Sequence, residues 1–234
     1  MSFFKSLFST LTKPKKQIIT VKPIMPEKTQ TPYEYLKSLY QQYGATWNEI
    51  NIFGIRNEAD QNKDIFNDYI GLALNNQIYV YKGTCDPGKY WTEQGGCNED
   101  KAGVAHMCLG FHSKIWQVGM HLPNNPNVAH EALIQTGNTV KIWRDKNKDY
   151  DQDSGDLVQE GWYGINCHRS NANGVTLNIG LWSAGCQVFS GPSNFLIFMN
   201  MIKNSNSYLQ NNKYCFSYFL FDIKQVDMKK LGIS

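Results

Sequence analysis

Tyr33, Leu36, Leu39, Tyr40 and Tyr43 recur three and four positions apart, the stripe of one buried helix face. The stretch Thr31-Pro32-Tyr33-Glu34 supplies its start. Thr31 caps, Pro32 suits the first turn, and Glu34 closes a capping box. Gly44 ends the helix. From Asn51 onward the period shortens to that of strands. INIFGIR and DYIGLAL read as strands, and LALNNQIYVYKG as a hairpin turning at Asn75-Asn76, since asparagine tolerates positive φ. EALIQTGNTVKIWRD reads as a second hairpin, turning at Gly137-Asn138. WYGINCHRS, WSAGCQVFS and KYCFSYFLFDI are further strands. Helical spacing returns between Pro192 and Asn204, with Phe195, Phe198, Met199 and Ile202 on one face. No internal repeat is visible. The pattern predicts a β-rich α+β domain with peripheral helices.

The N-terminal stretch reads differently. Residues 12–30 carry three prolines and five lysines, the make-up of a linker. This sets an arm over residues 1–30 and one domain over 31–234. Phe3, Phe4, Leu7, Phe8 and Leu11 share a helical face, followed by Lys13, Lys15 and Lys16. Residues 1–16 therefore read either as an amphipathic segment docking on a membrane or particle, or as a frayed terminus. Lys5, Ser6 and Ser9 break the apolar run that a signal peptide needs. No run of about 18 apolar residues reads as a membrane span.

Composition sharpens this little. Apolar residues make up 41% and aromatics 13%, enough for a packed core. A net charge of +3 without a lysine/arginine stripe argues against a nucleic-acid partner, and it suits an anionic polymer such as a bacterial wall. The six cysteines form no CxxC pair, so no zinc ribbon is indicated. Cys85 and Cys97 flank a Gly/Pro-bearing loop, and a disulfide between them and free thiols both remain open.

Candidate chemistry concentrates in GINCHRSNANGVTLNIGLWSAGCQVF, residues 164–189. Gly185 before Cys186 allows a tight turn that gathers backbone N–H groups, as an oxyanion hole requires. Strand alternation puts Ile165 and Cys167 on one face and Asn166 and His168 on the other. If the two segments are neighbours, His168 reaches Cys186 and can take its proton.

His168, fourteen residues and then Ser183-Ala184-Gly185-Cys186 resemble the L,D-transpeptidase catalytic motif, in which a histidine precedes a Ser/Thr-His-Gly-Cys turn. CDPG, WQVGMH, HEALIQ, WRDKNKD, GINCHR and WSAGCQVF together look like a divergent branch of that family associated with phages, over roughly residues 50–222. The resemblance implies an L,D-transpeptidase-like β-sandwich or barrel, and a cysteine acyl-enzyme acting on peptidoglycan stem peptides. It implies Cys186 as nucleophile, His168 as base and then acid, and the amides of Ala184, Gly185 and Cys186 around the oxyanion. It implies that the Arg169 carbonyl orients the histidine ring, while the Arg169 guanidinium suits a substrate carboxylate. Ser183 and Trp182, at the turn, are candidate substrate contacts. His121 and His130 are the next histidines of interest, His121 as a further substrate contact or, more plainly, as a satisfied core or surface histidine. Ala184 replaces the family's second histidine, and Gln187-Val188 the usual pair after the cysteine. Those departures fall on the acceptor side, so hydrolysis stands beside cross-linking. A silent wall-binding or structural component of a phage-like particle is the alternative. Action at the wall without a recognisable signal peptide implies release by lysis or an injection machine.

No cofactor is required by this chemistry. Asp145, Asn147, Asp149 and Asp151 alternate oxygen ligands as a calcium loop does, although Tyr150 stands where an EF-hand has glycine. A solvated acidic turn, partly neutralised by Lys146 and Lys148, is the plainer reading. A zinc site from His168, Cys186 and His121 is chemically conceivable, but their spacing does not point to it. Trp91, Trp116, Trp143 and Trp162 read as core, and Trp182 as core or cleft wall.

Overall fold

The computed structural model describes residues 30–58, 63–96 and 102–233. The expected amphipathic segment, nearly all of the linker, and Cys97 lie outside these residues. Helix α1 (Pro32–Gln42) leads into strands β1 (Asn51–Arg56), β2 (Asp68–Leu74) and β3 (Gln77–Thr84). Helix α2 (Lys89–Gln94), β4 (Val104–Met107), β5 (Gly110–His121), β6 (His130–Gln135), β7 (Val140–Asp145) and β8 (Leu157–Gly161) follow. The chain continues through β9 (Cys167–Arg169), β10 (Gln187–Phe189), α3 (Pro192–Lys203), α4 (Asn206–Gln210) and β11 (Phe216–Asp222).

Eight strands close a barrel in the order β1-β11-β5-β6-β9-β10-β3-β2, and β4-β7-β8 form a separate three-stranded sheet. The fold is thus β-rich with few helices. The pairs β1–β11 and β9–β10 are parallel, and the other barrel pairs are antiparallel.

All six residues of β1 are buried. A strand covered on both faces reads as a continuous apolar run. Ile52 faces the barrel core with Ile70, Leu72, Trp116 and Tyr218, which α3 covers through Phe195, Phe198 and Ile202. Phe53 and Ile55 face outward, where Leu36, Leu39 and Tyr40 of α1 pack over them and over Phe219 and Phe221. The sequence-derived cap of α1 is present: the Glu34 N–H donates to Thr31 Oγ1 at 3.2 Å and the Thr31 N–H to Glu34 Oε2 at 2.9 Å. The β2–β3 turn also forms as expected, with φ of 52° at Asn75 and 60° at Asn76.

The second expected hairpin does not form. Strand β6 pairs with β5 and β9 in the barrel, whereas β7 pairs with β4 and β8. Between them the N–H groups of Gly137 and Asn138 donate to the carbonyls of Ile115 and Lys114, so the chain leaves the barrel at β5. A β-carbon at Gly137 would lie 2.0 Å from the Lys114 oxygen, which is why the crossing uses glycine. WYGINCHRS and WSAGCQVFS also shrink, to the three-residue strands β9 and β10. Trp162 is not core but 67% exposed, and Cys85 is a buried free thiol beside Tyr218.

A buried charged cluster joins the two sheets. Arg56 at the end of β1 pairs with Asp86 at 2.8 Å and donates to the carbonyls of Cys85 and Met107. His106 in β4 meets Asp86 through Nδ1 at 3.1 Å and Asp145 through Nε2 at 3.9 Å, and it stacks on Trp143. Burial pushes the Asp86 carboxyl up, but Arg56 and the His106 bond bring it below its ordinary value.

Candidate functional site

Strands β9 and β10 lie side by side, with Gln187 opposite Cys167 and Val188 opposite His168. Cys186 immediately precedes β10, next to Asn166. Its Sγ accepts the Asn166 N–H at 3.4 Å, and its S–H donates to the Gly164 carbonyl at 3.5 Å. These two contacts hold the sulfur just before β10.

The turn before Cys186 is built tightly. Gly185 has φ +124°, and a β-carbon there would lie 2.4 Å from the Ala105 oxygen of β4. Only glycine fits both demands. Ser183 Oγ accepts the Gly185 N–H at 3.2 Å and donates to the Cys186 carbonyl at 2.8 Å. The Gly88 N–H donates to the Ser183 carbonyl at 2.8 Å. Ser183 is fully buried, so it braces the turn; the expectation that it contacts substrate is corrected. The Gly185 amide, bonded within the turn, is likewise not placed to serve an oxyanion.

His168 is 3% exposed, and its Nδ1 lies 2.8 Å from the Arg169 carbonyl. A carbonyl only accepts, so the proton sits on Nδ1 and Nε2 carries the lone pair. The His121 ring stacks on His168 at 4.0 Å and 15°. Asn166 sets the His121 tautomer: its Oδ1 accepts the Gln135 N–H, so its Nδ2–H faces His121 Nδ1 at 3.2 Å. His130 stands edge-on to both rings, its Nδ1–H on the Val128 carbonyl at 2.8 Å. Burial, then the neighbouring His121, lowers His168 to about 3. Burial, then His130 and Arg169, lowers His121 to about 4. Burial also lowers His130, as does Arg169, although its bond to the Val128 carbonyl opposes them. All three rings are therefore neutral at pH 7.

These groups line one cleft of about 670 Å³. His121, His130, His168, Arg169, Ala184 and Cys186 meet the apolar walls of Trp91, Leu122, Ile179, Leu181 and Trp182. Trp91 Nε1–H donates to the Leu181 carbonyl at 3.1 Å, which fixes that wall. The structure thus brings Cys186, His168, Arg169, Ala184, His121 and Trp182 together. His130, a histidine of interest in the sequence without a role, and Trp91, read there as core, complete the lining. His130 reaches the cleft from the start of β6, opposite His121 of β5, and Trp91 reaches it from α2.

The candidate calcium ligands do not converge. Both Asp145 oxygens accept backbone N–H groups, from Lys148 at 2.6 Å and Tyr150 at 3.0 Å. Asn147 donates to Asp149 and Asp153, and Asp151 pairs with Lys63. The alternation therefore serves the loop's own hydrogen bonds. Among the described residues no group of three or more His, Cys, Asp or Glu side chains is placed to hold a metal, the His168–Cys186–His121 set included. Among them, too, no helix is long and apolar enough to cross a membrane. No protein-family model, curated protein or solved structure matches the chain.

Proposed function

We propose that the cleft performs cysteine-dependent acyl transfer on peptide amides, and that its substrates are peptidoglycan stem peptides. One observation carries the reading. A neutral histidine whose Nδ1 proton is fixed on a backbone carbonyl shares a cleft with a thiol on the adjoining strand end. Neutral imidazole with a free Nε2 is the form that accepts a thiol proton.

The steps balance as follows. His168 Nε2 takes the Cys186 proton as Sγ attacks the substrate carbonyl carbon. The Ala184 amide at the cleft wall is the donor assigned to the oxyanion. The tetrahedral intermediate collapses, the C–N bond breaks, and the imidazolium returns its proton to the leaving amine. Water or an incoming amine then attacks the thioester, again with His168 as base, and frees the thiol. Arg169 suits the substrate's terminal carboxylate, and the Trp91–Leu181–Trp182 wall suits its apolar side chains. An L,D-transpeptidase-like form of the barrel, and a part in phage-type lysis or particle delivery, belong to this reading through the motif resemblance.

A second reading, a protein that holds stem peptides without cutting them, draws on the burial of His168 against the His121 ring. With His168 lowered to about 3, its lone pair is a weak base. Mass spectrometry of defined tri-, tetra- and pentapeptide muropeptides decides between the two. New products made by the wild type and lost in Cys186→Ala establish the enzyme, and their masses separate hydrolysis from transfer. Unchanged muropeptides that bind the folded, reduced protein favour the holding role.

A further inference from the structure

A second cavity, of about 580 Å³, lies where the β4–β5 connection, the β6–β7 connection and the end of β8 meet. Its lining shares no residue with the histidine cleft. Trp162 stands in it with 67% of its surface exposed. Its indole therefore adds little to the core and keeps a face open to the cavity. The ring is also fixed: Nε1–H donates to the Gly137 carbonyl at 2.9 Å. Gly137 is itself anchored, its N–H on the Ile115 carbonyl at 3.2 Å. A rigid, solvent-facing indole is a platform for the flat face of a ligand, with little side-chain entropy left to lose.

Hydrogen-bonding groups of both senses surround that platform. Glu160 accepts the Thr139 hydroxyl at 2.8 Å through Oε1, which leaves its second oxygen as an acceptor. Asn138 donates to the Ser113 carbonyl at 2.9 Å through Nδ2, which leaves Oδ1 as an acceptor. Lys141 adds an ammonium donor at the cavity wall. One acid and one base give the lining no net charge. A strongly charged ligand would meet repulsion from one of them, and a wholly apolar one would strip water from all of these groups without replacing it. A ligand bearing many hydroxyls, each both donor and acceptor, satisfies them, and its C–H face covers the indole.

We propose that this groove binds a neutral saccharide chain, with Trp162 as the stacking platform and Glu160, Asn138 and Lys141 as partners of its hydroxyls. The proposal does not rest on the cysteine chemistry of the cleft. Calorimetric titration of the full chain with chitotetraose, cellotetraose and maltotetraose tests it. The expected result is saturable binding of at least one tetrasaccharide, weakened about tenfold or more in Trp162→Ala. Trp162→Phe should recover part of the loss and Glu160→Gln should weaken binding a few-fold, while Cys186→Ala and Trp182→Ala leave it unchanged. No saturation with any of the three up to about 10 mM would overturn the proposal. So would binding that survives Trp162→Ala or disappears in Trp182→Ala.

Discussion

His106 and His168 are buried about equally, 1% and 3% exposed, yet they sit in opposite surroundings. His106 lies between two carboxylates, Asp86 and Asp145, against the Trp143 ring. Both of its nitrogens face acids that themselves tie down loops, Asp145 by holding the backbone of residues 148–150. His168 has a carbonyl on one nitrogen and a neutral ring on its face, and it borders a cavity. A histidine flanked by acids acts as a bolt between the barrel and the small sheet. A histidine flanked by a carbonyl and a cavity keeps a lone pair for a ligand or a proton. Burial alone does not separate these roles; the partners of the two ring nitrogens do.

The contrast is sharpest in paired substitutions. His168→Asn should lower the rate of any Cys186-dependent reaction by about 10²–10⁴ while costing about 1 kcal/mol of stability or less. His106→Asn should do the reverse, costing about 3 kcal/mol because it removes the buried ring that links Asp86 to Asp145 and stacks on Trp143. Urea unfolding beside single-turnover kinetics reads both. Equal stability losses in the two variants would erase the distinction.

Gly185→Ala comes next in size. The left-handed φ and the approach to the Ala105 oxygen predict a loss of roughly 1–3 kcal/mol, together with displacement of Cys186. The same substitution at Gly44 meets nothing within 4 Å and strains only its φ of +66°, so it should cost less. Comparable losses at the two positions would mean that Ala105 does not brace the turn.

The mildest effect is the first step of acidification. Unfolded histidine titrates near 6.5, while folded His168 and His121 are held at about 3 and 4. Below pH 6.5 the unfolded chain therefore binds more protons than the folded one, and stability falls as pH falls. From pH 7 to 6 the two rings should together cost about 1 kcal/mol, with the loss deepening toward pH 4. Replacing both by asparagine should flatten that part of the curve relative to the wild type. An unchanged slope would place the rings in water rather than in a buried stack.

Local features were legible in the sequence wherever a short segment determines its own structure. The Thr31–Glu34 box, the Asn75-Asn76 turn and the α3 stripe need only their own residues. The failures are those of partnership. β6 and β7 each carry strand character, but their expected pairing gave way to contacts with β5, β9, β4 and β8, which are distant in sequence. Likewise Ser183 looked like a cleft residue by its place in the motif, and it points inward because its hydroxyl closes the turn. The cleft's histidine and cysteine were legible because a recognisable spacing carries them. The places of His130 and Trp91 in the cleft and the Asn166–His121 bond were not, since only the folded chain brings them together.

The most direct measurement is the intact mass of the protein quenched during incubation with a tetrapeptide stem, followed by mapping of the modified peptide. The cysteine acyl-enzyme mechanism predicts a thioester-linked stem on Cys186, depleted in His168→Asn and absent in Cys186→Ala. A folded, reduced protein that never acquires the adduct, or acquires it equally on Cys108 or Cys215, would contradict a catalytic role for Cys186.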